Sequence, residues 1–133
     1  MGATMATRES GQGLGEAKAQ LDHITGLIAN LDANVVDETT RENAIEAIQE
    51  HPLDIEVRSA WTALGTPLTA AEYNILLCTG GPAVRIVGTL DMADVPDSAR
   101  LEHQEWFTPW TPYPITQSQE AILIRYAQQF CYA

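Results

Sequence analysis

Apolar side chains recur along this chain at two different periods, and the change of period divides it. From Glu16 onward Leu21, Ile24, Leu27, Ile28, Leu31 and Val35 follow at intervals of three and four, which places them on one stripe of a helix ending near Asn34. Its polar face carries Lys18, Gln20, Asp22, Asn30 and Asp32. Asp37 or Thr39 can cap a second helix running to about Gln49, with Ala44, Ile45 and Ile48 as a narrow apolar side and Pro52 just past its end. Residues 1–15 hold four glycines among Thr, Ser and Gln, with few large apolar groups to offset the entropy of ordering them, and this predicts a loose tail.

Beyond Pro52 the period falls to two. Leu53, Ile55 and Val57 alternate with Asp54, Glu56 and Arg58, as in a strand with one wet face. Gly65 and Pro67 mark a loop, and Tyr73 to Cys78 then runs almost continuously apolar, as in a strand covered on both faces. Thr79-Gly-Gly-Pro82 breaks the chain before the β-branched run Ala83 to Leu90, so the two segments read as a hairpin. After the turn-rich Asp91 to Ser98, Ala99 to Phe107 gives a fourth and mostly polar strand, expected at an edge. Thr116 or Ser118 can cap a last helix bearing Ile122, Leu123, Tyr126, Ala127 and Phe130. The pattern predicts an α+β fold: two N-terminal helices, a four-stranded antiparallel meander and a C-terminal helix, in a single domain over residues 16–133.

Composition refines this picture. With 133 residues, 45% of them apolar, the chain can bury a sizeable core. Eighteen acidic side chains against seven basic ones give a net charge of −11, which repels nucleic acid and anionic membranes and favours either a cationic partner or solubility alone. Two cysteines, Cys78 and Cys131, in separate elements and without Cys-x-x-Cys spacing, point to a reducing compartment. No stretch approaches the roughly 18 apolar residues of a membrane span, and the first residues lack the pattern of a secretory signal. Met5 offers a second start.

Two constellations stand out as candidate partner-binding surfaces. Glu38, Glu42, Glu46 and Glu50 follow at consecutive i,i+4 spacing on the second helix. Like charges so placed cost about 0.2–0.5 kcal/mol per pair, roughly 1 kcal/mol for the row unless Arg41 or another cation relieves it. The row reads as a surface for an Arg- or Lys-rich protein, because carboxylates in a line can imitate a phosphate backbone, or as a solvated helix face. Trp106-Phe-Thr-Pro-Trp-Thr-Pro-Tyr-Pro114 gathers four aromatics and three prolines. Trp106, Trp110 and Tyr113 there either plug the end of the core, the usual fate of such rings, or form a stiffened platform for a partner.

Catalytic and metal chemistry find less support. Cys78 beside Gly80 and Gly81, with His103 and Arg85 elsewhere, allows a thiol and base near one pocket, but Cys78 reads more simply as a small buried apolar residue. The two glycines lack the spacing and the Lys-Ser/Thr of a phosphate loop. His23, His51 and His103 are too scattered for a metal site. The residues therefore predict neither a cofactor nor a metal.

The run Ile75-Leu-Leu-Cys-Thr-Gly-Gly-Pro-Ala-Val-Arg-Ile-Val-Gly-Thr-Leu-Asp91, with Trp106-Phe-Thr-Pro-Trp-Thr111 and Tyr126-Ala-Gln-Gln-Phe130, resembles small acidic proteins of bacteriophages and prophages, over about residues 52–133. The resemblance carries over no catalytic or binding residues. It implies action inside a bacterial cell and compatibility with inhibitors of host defence, of the anti-restriction or anti-CRISPR type. The leading expectation is a noncatalytic module that binds a basic host protein. The alternatives are a small enzyme or ligand-binding domain with a pocket near Cys78 and His103, and a virion or assembly component that self-associates.

Overall fold

A computed structural model describes the backbone of residues 2–33 and 37–133, and side chains from Gln12 onward within those ranges. Helix α1 spans Gly2–Ala33 and α2 spans Glu38–Glu50. Strands β1 (Asp54–Ser59), β2 (Ala70–Cys78), β3 (Ala83–Thr89), β4 (Arg100–Gln104) and β5 (Thr111–Tyr113) follow, and α3 (Gln117–Ala127) closes the chain. The five strands form an antiparallel meander in chain order. The α+β class and the C-terminal helix match the sequence pattern, whereas the sheet has five strands rather than four.

The fifth strand also corrects the placing of the fourth. β4 is interior, with β5 outside it, and Leu101, Glu102 and His103 are buried. β5 holds Pro112, which has no N–H to donate and is tolerated because one side of an edge strand needs no ladder bond. Proline thus hides the strand from a reading of the sequence.

Register explains the core. Ile55, Ile75, Ile86, Leu101 and Tyr113 face one another in a single row across all five strands. The helices cover that face. Ala17, Leu21, Ile24, Ile28 and Leu31 of α1 are buried at intervals of four and three, packing against β3, β4 and α3. The expected helix end at Asn34 and the stripe position at Val35 lie outside the described residues. The opposite face of the sheet carries no helix, and Glu56, Asn74, Val87 and Arg100 form its central row.

The helix ends are capped as their residue types require. Asp37 accepts from the Thr39 N–H at 3.1 Å and from the Thr40 hydroxyl at 2.7 Å, and these bonds, Thr40's first, hold its carboxyl below the usual range. Thr116 and Gln119 form a reciprocal capping box at α3. Arg125 of α3 grips Asp32 of α1 through two bonds of 2.6 and 2.7 Å.

Candidate functional site

The carboxylate row lies on the outer side of α2. Ala44 and Ile48 turn inward, so i,i+4 geometry leaves Glu38, Glu42, Glu46 and Glu50 all exposed. None of the four makes an ion pair with another described residue. The helix dipole favours Glu38 in the first turn but opposes Glu50 at the end, where no basic residue occurs. Of the described cations nearby, Lys18 pairs with Asp22 at 2.7 Å and Arg125 with Asp32, while Arg41 of α2 is exposed and forms no ion pair with a described residue.

The aromatic segment divides in three. Trp106 and Phe107 stand exposed at the β4–β5 turn, 70% and 101%, their rings 6.1 Å apart. Phe107 has φ 63°, a left-handed conformation that suits glycine and strains a bulky residue. Thr108 closes the turn by donating its N–H to the Glu105 carbonyl at 3.2 Å. Trp110 lies half-buried against the open sheet face, with the Arg85 guanidinium 4.1 Å from its ring centroid. Tyr113 packs against the core. The segment is therefore not a core lid throughout, since its first two rings cover nothing.

These two surfaces meet α1 at different points. Trp106 follows Glu105, which bonds Gly13 of α1, whereas the end of α2 meets α1 where His51 bonds Gln20. Seven residues of helix, roughly 10 Å, separate those contacts.

Cys78 and His103 are not brought together either. Cys78, Val84 and His103 occupy one cross-strand row, so the thiol and the imidazole sit two strands apart, about 10 Å, with Val84 between. Burial, and then the Glu16 carboxylate, push the Cys78 thiol up, away from the thiolate a nucleophile needs. His103 is 7% exposed, and its Nε2 has no hydrogen-bond partner among the described residues.

A site that sequence reasoning missed lies on the open face. A cleft of about 240 Å³ is lined by Glu56, Arg58, Glu72, Asn74, Arg85 and Arg100. Three of the seven basic residues thus converge where the outward positions of four strands fall in register. Arg58 bonds Glu72 at 2.7 Å, and Arg85 bonds the buried Glu102 at 2.8 Å. The Asn74 Oδ1 is buried without a partner among the described residues. Period-two alternation marked the odd positions of β1 as inward, but only cross-strand register gathers the even ones into a cleft.

Among the described residues no group of three or more His, Cys, Asp or Glu could hold a metal, and no helix is long and apolar enough to cross a membrane. No protein-family model, curated protein or solved structure matches the chain.

Proposed function

We propose that this chain is a noncatalytic protein-binding module, a phage-encoded inhibitor of a host defence protein, that engages a basic partner through the carboxylate row of α2. The observation that carries this reading is the exposure of Glu38, Glu42, Glu46 and Glu50 at like-charge spacing, none of them in an ion pair with a described residue. A row that opposes its own helix is better explained by a guanidinium or ammonium supplied from outside. Trp106 and Phe107 give a second, apolar contact, because Phe107 is strained and fully exposed and Trp106 beside it is largely exposed.

The test is capture from bacterial host lysate by the immobilised full chain, at low and high salt, beside a Glu42→Lys/Glu46→Lys variant. The reading expects a bound protein that is released as salt rises and is absent from the variant. Capture indifferent to both salt and charge reversal contradicts it.

A second reading rests on the open-face cleft, where the orphaned Asn74 oxygen and the Arg85 guanidinium under Trp110 suit a small polar ligand. A thermal shift with small carboxylates or phosphates that disappears in Arg85→Ala would favour it over protein binding.

A further inference from the structure

The fold leaves a further surface open at the edge of the sheet. Among the described residues β1 has a neighbouring strand on one side only. Leu53 just before β1, Val57 within it and Trp61 just beyond it are exposed by 59%, 48% and 104%. Val57 faces the same side as its buried partner Tyr73, so its side chain continues the helix-covered face beyond the reach of the helices. The intervening positions, Asp54, Glu56 and Arg58, are charged and lie on the open face. Glu56 forms no ion pair with a described residue, and Arg58 is held in place by Glu72 while its side chain remains 78% exposed.

We infer that β1 pairs edge to edge with β1 of a second copy of this chain, antiparallel, about a two-fold axis at Val57. In that register Val57 faces its own counterpart, and Glu56 faces Arg58 of the second copy on each side of the axis. Ile55 faces Ser59. Charge selects this register over its neighbours. Moving the axis to Glu56 pairs Asp54 with Arg58 on each side but sets two Glu56 carboxylates against each other, a repulsion absent at Val57, and moving it to Arg58 opposes two guanidiniums. With the axis at Ile55, Asp54 meets Glu56. A slip of one residue would set apolar positions against charged ones. The same charges that deter indiscriminate edge pairing therefore permit one partner, a second copy in one alignment. The net charge of −11 on each copy opposes association, so the contact must be specific to form.

The test is sedimentation equilibrium of the full chain from low to high micromolar concentration. The wild type is expected to reach twice the monomer mass of 14.5 kDa. Glu56→Arg and Arg58→Glu are each expected to sediment as monomers, since each faces like charge across the axis. Mixed in equal amounts they are expected to recover the doubled mass, because opposite charges then meet. Should either variant lose its fold by circular dichroism, Val57→Lys, which sets two cations on the axis, must yield a folded monomer. A wild type that stays monomeric overturns the proposal, including one that binds an added extended peptide instead. A dimer indifferent to Glu56→Arg, or a mixture that stays monomeric, overturns it equally.

Discussion

The backbone N–H of Gly13 donates to the Glu105 carboxylate at 2.8 Å, so the first helix is fastened to the turn that presents Trp106 and Phe107. The approach is close because Gly13 has no side chain. A Cβ there would stand 2.7 Å from the His103 Nδ1 and 3.1 Å from the Glu105 Oε1. Exchanging glycine for alanine inside an unobstructed helix stabilises by roughly 1 kcal/mol. Here the buried His103 ring cannot move aside, and Gly13→Ala is expected to lose on the order of 1–3 kcal/mol in urea unfolding. A gain would show that α1 does not rest on β4 at this point.

Phe107 gives the opposite expectation. Its ring is fully exposed and its backbone is left-handed, which costs a residue other than glycine about 1–2 kcal/mol. Phe107→Gly removes that strain and no buried area, so stability should hold or rise by up to about 1 kcal/mol while partner capture weakens. Loss of more than that in thermal unfolding would mean that the ring serves the core.

His51 makes the fold sensitive to acid. Its Nδ1 lies 2.7 Å from the Tyr126 hydroxyl and its Nε2 lies 2.8 Å from the Gln20 Oε1, an arrangement satisfied by the neutral ring with Nε2 donating and Nδ1 accepting. Burial, and then the neighbouring His23, lower its pKa from 6.5 to about 4. Between those values the unfolded chain binds a proton that the folded chain refuses, so stability is complete above pH 6.5 and falls as pH drops toward 4. Allowing for solvent around a half-buried ring, the loss should be on the order of 1–2 kcal/mol. It would be read as the difference in acid dependence between the wild type and His51→Gln.

Much of this architecture was legible in the sequence because one period dominated each segment. The three- and four-residue spacing of Leu21 to Leu31 and the alternation from Leu53 to Arg58 each specify which side chains turn inward. Long-range pairing was not legible. Nothing local to Thr111-Pro-Tyr113 shows that it lies beside Leu101 to His103, and Pro112 argues against a strand until its edge position is known. Gly88 is a similar case, where a Cβ would stand 2.7 Å from the Tyr73 hydroxyl that bonds the Ser98 carbonyl. Of the candidate sites, the α2 row could be read from spacing alone. The open-face cleft depends on the register of four strands, and the exposure of Trp106 and Phe107 depends on a turn that no composition rule specifies.

The central claim is that the α2 carboxylates are kept for a partner and not for the fold, and the unfolding free energy of Glu42→Lys/Glu46→Lys tests it most directly. Reversal turns three like-charge i,i+4 pairs into two opposite-charge pairs and one cationic pair, so the variant is expected to unfold at equal or higher urea concentration, by up to about 1 kcal/mol. A loss of 1 kcal/mol or more would mean that these glutamates hold the structure together, and the surface assigned to recognition would belong to the fold.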